Sequence, residues 1–287
     1  CIPLLCFAFF VVNGSFLEVK RNTHTYHLEN TEGYSGAFEE RLSTLQNHAL
    51  NIAFDKKISR AAVEENNFYA KQNAELLKSY KNGIEFADVL GIHFIGTDYV
   101  LTSDGYMYNI AYYAGLNAGG DELAARNIEG FFKSEHRDRI NLFSTFDRLP
   151  ARQGALFIAI PVSMNMELTD DAVIYYILRW DSLKNYITDA NSFYIYNGEH
   201  RLLYVNAPRP DAFPAADEGY NAFLQNPDTA AYEFTADGQQ YTAFKRESRH
   251  GGYTFVNIVA QPKLERSFEG FYQLLRTVFL ITSALLI

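Results

Sequence analysis

The chain holds only two cysteines, Cys1 and Cys6, both inside its first apolar run. The rest of the sequence therefore has neither a disulfide nor a thiolate metal site, and its stability must come from packing. Tryptophan is nearly absent, with Trp180 the single example. The seven histidines (24, 27, 48, 93, 136, 200 and 250) show no metal-ligand spacing, and no Gly-x-Ser-x-Gly elbow marks a hydrolase nucleophile. No metal and no cofactor are expected. An excess of basic residues is missing too. The net charge is −9, and residues 28–262 alone carry −11, because each end is basic by one charge. An acidic body suits neither nucleic acid nor an anionic membrane surface.

A complete membrane span is also lacking. A bilayer-spanning helix needs roughly 20 apolar residues, and the runs Cys1–Val12 and Leu274–Ile287 are both shorter. They read as parts of two transmembrane helices, one ending by residue 27 and the other beginning near Lys263. Lys263, Arg266 and Arg276 would then sit on the approach to the membrane. A cleaved signal peptide is the alternative for the first run, although no small-x-small site precedes Lys20-Arg21. By inference from class, the middle of the chain lies outside the cell.

Aromatic residues are abundant: 20 Tyr and 23 Phe can supply a core. From Thr31 to Ile58 the pattern predicts one long helix, with Phe38, Leu42, Leu45, Ala49 and Ile52 spaced 4-3-4-3 along a single apolar seam. Such a seam either packs along the domain's own flank or pairs with a second copy. A second helix is predicted over 61–82, stopped by Asn82-Gly83.

Two similar blocks follow. The first has strand-like runs at 89–95, 99–103, 140–146, 155–163 and 172–180, with a helix at 121–133. The second has runs at 193–196, 201–205, 231–235, 240–247 and 252–260, with a helix at 215–225. Asn197-Gly198, Asp237-Gly238 and Gly251-Gly252 are hairpin turns, so neighbouring strands are antiparallel. The fold class is α+β: two small antiparallel sheets, each with helices packed on it.

Several stretches carry a resemblance to a known family. They include Leu90-Gly-Ile-His-Phe-Ile-Gly-Thr-Asp-Tyr-Val-Leu-Thr-Ser-Asp-Gly105 and Gly154-Ala-Leu-Phe-Ile-Ala-Ile-Pro161. Others are Ala172-Val-Ile-Tyr-Tyr-Ile-Leu-Arg-Trp-Asp-Ser-Leu183 and Ser192-Phe-Tyr-Ile-Tyr-Asn-Gly-Glu-His-Arg-Leu-Leu-Tyr204. In this arrangement the chain resembles the double Cache extracellular sensors of bacterial membrane receptors, and is similar to those preceding AraC-type regulators or histidine kinases. The resemblance implies a long helix with a membrane-distal PAS-like module over 28–190, then a membrane-proximal module over 191–262. It also implies a homodimer in the membrane, with a ligand between the distal sheet and the segment joining its second and third strands. One departure stands out. The Arg-x-x-Trp-Tyr-like stretch of amino-acid-binding members has no counterpart here, so an amino-acid ligand does not carry over.

Four tyrosines, Tyr106, Tyr108, Tyr112 and Tyr113, follow Gly105 in what reads as a loop. They either wall a small-ligand pocket or cap the core. Asp104 and Arg139 are the nearest charged groups that could orient a polar ligand. Gly119-Gly-Asp-Glu-Leu123 is close to the Gly-Gly-Asp-Glu-Phe signature of diguanylate cyclases. Here a helical pattern follows it, so Asp121 reads as an N-cap with Glu122 in the first turn.

The expected function is ligand sensing, not catalysis. A small molecule or an exterior partner protein would bind, and the signal would pass through the membrane to a cytoplasmic output domain outside this sequence. A membrane-anchored cyclase or hydrolase, and a spacer that binds nothing, are the alternatives.

Overall fold

The structure is a computed structural model. It describes residues 2–60, 67–105, 107–134, 136, 140–145, 154–164, 171–179, 182, 192–206, 218–236, 238–248, 252–260, 273 and 277. The chain divides into two compact units. One comprises Cys1–Gly36, Asn191–Phe193 and Ala207–Ile287; the other comprises Ala37–Ala190 and Tyr194–Asn206.

The first element, α1, runs Ile2–Ala53 and contributes to both units. It is much longer than the helix expected from Thr31. In its second half the apolar seam is buried as predicted, with Leu42 at 7% exposure and Leu45, Ala49 and Ile52 at 0%. Between residues 20 and 37, where burial is described throughout, the buried positions are His27, Thr31 and Ser35, at i, i+4 and i+8. These are polar side chains, so no apolar period announces the helix. His27 stacks on Phe244 with ring centroids 5.1 Å apart, His24 meets the same ring edge-on at 5.2 Å, and Tyr34 meets Phe193 at 5.2 Å. The rings of Phe193 and Phe244 thus hold this stretch of the helix.

The next helix, α2 (Asn67–Asn82), stops where the Gly83 N–H bonds the Tyr80 carbonyl at 3.0 Å. The first sheet, in the larger unit, contains β1 (Val89–Phe94), β2 (Tyr99–Thr102), β3 (Met107–Asn109), β4 (Asn141–Ser144), β5 (Ala155–Ser163) and β6 (Asp171–Arg179). It is six strands in the order β3-β2-β1-β6-β5-β4, one strand more than expected, and its described pairings are antiparallel. Every residue of β1 is buried. Antiparallel strands usually alternate, so a fully buried run means that both faces are covered.

Adjacent tyrosines of β6 show the two faces. The Tyr176 hydroxyl lies 2.9 Å from His48 Nδ1 and donates to the Leu45 carbonyl at 3.3 Å, which ties the strand to α1. The Tyr175 hydroxyl donates instead to the Phe132 carbonyl at 3.0 Å, on the opposite face.

The second sheet contains β7 (Ser192–Tyr196), β8 (Leu202–Asn206), β9 (Ala231–Ala236), β10 (Gln239–Glu247) and β11 (Thr254–Ala260) in the order β8-β7-β11-β10-β9. Asn197 Oδ1 accepts from the backbone N–H of Glu199 (3.0 Å) and Arg201 (2.8 Å), which closes the β7–β8 hairpin.

Among the described residues no helix is long and apolar enough to cross a membrane. The second expected membrane run, 263–287, lies outside the described residues except at 273 and 277.

Candidate functional site

Two helices cover the face of the first sheet that Tyr175 points into: α3 (Ile110–Asn117) and α4 (Glu122–Lys133). The sequence predicts a loop over residues 106–113. Residues 107–109 form β3, and Asn109 then caps α3, its Oδ1 accepting from the Ala111 N–H at 3.0 Å.

Gly119 and Gly120 make the turn into α4 with φ of +60° and +91°, a region that favours glycine. Asp121 is the N-cap of α4, accepting from the N–H groups of Leu123 (2.8 Å) and Ala124 (2.9 Å). The Gly-Gly-Asp-Glu string is therefore a helix start, not the hairpin tip that a cyclase requires. Asp121→Ala is expected to cost about 0.5–2 kcal/mol of stability, read by urea unfolding. No GTP turnover should be present before or after the change.

Beneath these helices lies an aromatic core. Val89, Ile110, Tyr113, Ile128, Phe132, Phe157 and Tyr175 are all buried in one cluster. Phe132 sits 4.4 Å from the Tyr175 ring, 5.8 Å from Tyr113 and 6.1 Å from Phe157, between centroids. Burial pushes the hydroxyl pKa of Tyr175 well above its ordinary value. It does the same for Tyr113, where the charge of Asp104 adds to the effect. His136 Nε2 lies 2.7 Å from the Phe131 carbonyl, and burial lowers its pKa.

The expected site residues separate within this frame. Tyr113 is 4% exposed and belongs to the core, whereas Tyr112 is 62% exposed. Tyr108, on β3, is half-buried between them, stacking on Tyr113 at 5.0 Å and on Tyr112 at 6.1 Å. Asp104 is exposed at the foot of the stack. It accepts a hydrogen bond from Thr102 Oγ1, and the Tyr108 hydroxyl approaches its second oxygen at 3.5 Å. Four of the six candidates are thus gathered at one rim of the first sheet. Tyr106 and Arg139 lie outside the described residues. Among the described residues no three His, Cys, Asp or Glu side chains are grouped to hold a metal.

A groove that sequence reasoning missed lies in the same unit, with a volume of about 470 Å³. Its lining includes Arg126, Asn127 and Phe131 of α4, Phe143 of β4, and Arg201 and Leu202 of the hairpin. No short motif could have announced it, because its walls come from segments far apart in the chain.

No protein-family model matches this chain, and no curated protein matches it in sequence. Solved structures do match in fold. The extracellular domain of the putative histidine kinase soHK1S-Z6 superposes with a TM-score of 0.59 at 12% identity, covering 88% of this chain and 99% of that one. The ligand-binding domain of Campylobacter jejuni chemoreceptor Tlp3, in complex with L-norvaline, gives 0.55 at 11% identity and covers 86% and 94%. That of Pseudomonas fluorescens chemoreceptor CtaA, in complex with L-isoleucine, gives 0.53 at 14% and covers 90% and 99%. At these identities the likeness is one of fold, and it is the sensory-domain fold that the resemblance to double Cache sensors implies.

Proposed function

We propose that this chain is the extracellular ligand-sensing segment of a bacterial membrane receptor and has no catalytic activity of its own. The observation that supports it most is the fold, shared with sensory domains over 88% of this chain and 99% of the histidine-kinase domain. In this reading residues 28–190 form the membrane-distal module, residues 191–262 the membrane-proximal one, and 1–27 and 263–287 belong to transmembrane helices. The receptor is a homodimer whose output domain lies outside this sequence.

The ligand binds at the tyrosine rim. A carboxylate, Asp104, at the foot of a stack whose outer ring, Tyr112, is exposed favours an ammonium group, chiefly by charge, with the open face of Tyr112 adding to it. The site residues are Tyr106, Tyr108, Tyr112, Tyr113 and Asp104, with Arg139 available for an acidic group on the same ligand. Binding produces a signal only if the ligand favours one of two arrangements of the receptor.

The test is calorimetric titration of the purified chain with a panel of L-amino acids and small amines. At least one is expected to bind, and Asp104→Asn should weaken it tenfold or more, about 1.4 kcal/mol. If no member of the panel binds, or if Asp104→Asn binds as well as the parent, the rim is not an amine site. A distal module that takes up nothing supports the spacer alternative, and nucleotide or ester turnover the enzyme one.

A further inference from the structure

The groove beside α4 has features that packing alone does not require. The inner face of that helix is committed to the core through Ala124, Ile128 and Phe132, spaced i, i+4 and i+8. Its groove side presents Arg126, Asn127, Gly130 and Phe131. The Arg126 guanidinium is exposed and makes no ion pair among the described residues. Arg201 also lines the groove, and its backbone is held in place by Asn197. Its ion pair with Glu199 (3.2 Å) is solvent-exposed on both sides, and such pairs are weak enough to be displaced. Among the described residues that line the groove none is acidic, although the chain as a whole carries −9.

Part of the lining is apolar, beside the polar Asn127, Ser144, Thr145 and Asn197. Phe131 and Phe143 stack with centroids 5.2 Å apart, and Leu142 and Leu202 flank them. Gly130 lies inside the helix, where glycine is a poor choice. A Cβ there would meet nothing within 4 Å, so no close approach demands glycine. Its effect is to leave the groove open. A volume of about 470 Å³ is within the range of pockets that hold small organic ligands.

We propose that this groove is a second binding site, separate from the tyrosine rim, for a small organic carboxylate with an apolar or aromatic body. The two guanidiniums take the carboxylate, which Arg recognises through paired N–H donors, and the body lies on the Phe131–Phe143 floor. The groove offers guanidiniums where the rim offers the Asp104 carboxylate, and the two sites share no residue.

The probe is 3-phenylpropionate, titrated calorimetrically into the purified chain. It should bind, while 3-phenylpropanamide, of the same shape but uncharged, should bind at least tenfold more weakly. Inorganic phosphate, charged but without a body, should not compete. Arg126→Glu should weaken binding tenfold or more. Gly130→Leu should do the same by filling the groove, with a thermal midpoint no lower than the parent's because leucine is the better helix former. Asp104→Asn should leave the probe's affinity unchanged. The proposal is overturned if the acid does not bind, if the amide binds as well, if phosphate competes equally, or if Gly130→Leu stays folded and binds like the parent. An effect of Asp104→Asn on the probe would place it at the rim instead.

Discussion

Phe132→Ala is expected to lower the unfolding free energy by about 3–5 kcal/mol, the range for removing a fully buried phenylalanine and leaving a void. Phe132 is 0% exposed, and its ring touches those of Tyr113, Phe157 and Tyr175 from three directions. These partners are themselves locked. The Tyr175 hydroxyl bonds the Phe132 carbonyl, so strand β6 and helix α4 are joined through the same residue. The neighbours cannot close over the gap without breaking that bond, which places the effect toward the upper end. Tyr112→Ala, one helix away, is the control. Its ring is 62% exposed, so its removal should change stability by no more than about 0.5 kcal/mol. Urea unfolding of both variants decides the matter. A loss under about 1 kcal/mol for Phe132→Ala would mean that this face of the sheet is not a filled core.

That pair of variants also bears on what the tyrosine run after Gly105 does. The sequence alone is compatible with rings that wall a pocket and with rings that cap the core. The fold divides them: Tyr113 is core, Tyr112 is surface and Tyr108 bridges the two. The division could not be read in advance because it depends on α3, a helix of eight residues, too short to show an apolar period. The one local signal was Asn109, an N-cap residue type ahead of Ile110. The long helix behaved the other way round. Its 4-3-4-3 seam from Phe38 to Ile52 was legible because the residues filling it are aliphatic. The turns upstream were not, because His27, Thr31 and Ser35 occupy the buried positions there. Asp121 was legible for a third reason: capping is local, and a helix start is set by the residues beside it. The groove with Arg126 and Arg201 had no such local origin, since α4 and the β7–β8 hairpin meet only through the fold.

Lys245→Met is expected to destabilise the smaller unit by about 2–4 kcal/mol, through lost charge-assisted hydrogen bonds and a lost charge at a helix C-terminus. The residue is 3% exposed, on β10, in a position that alternation alone assigns to an apolar side chain. Its ammonium donates to the carbonyls of Phe223 (2.8 Å), Leu224 (3.4 Å) and Asn226 (2.5 Å), and it lies 5.1 Å from the centroid of the Phe223 ring. These carbonyls belong to the last turn of α5 (Glu218–Gln225) and the residue beyond it. A helix end leaves its final carbonyls without intrahelical partners, and their dipoles favour a cation. Lys245 satisfies both needs from the neighbouring sheet. Burial lowers its pKa, partly offset by Glu247, so desolvation of the charge opposes the gain. Methionine matches the stem in length and removes that desolvation, but it leaves the carbonyls of the buried Phe223 and Leu224 facing an apolar side chain, while that of the exposed Asn226 keeps the Thr229 N–H at 3.3 Å. Unpaired buried carbonyls outweigh the relief, because each forfeits its solvation with nothing in return. The measurement is urea unfolding, with hydrogen exchange along α5 to localise the effect. If Lys245→Met matches the parent in stability, or if exchange along α5 does not accelerate, the ammonium is not what holds that helix to its sheet.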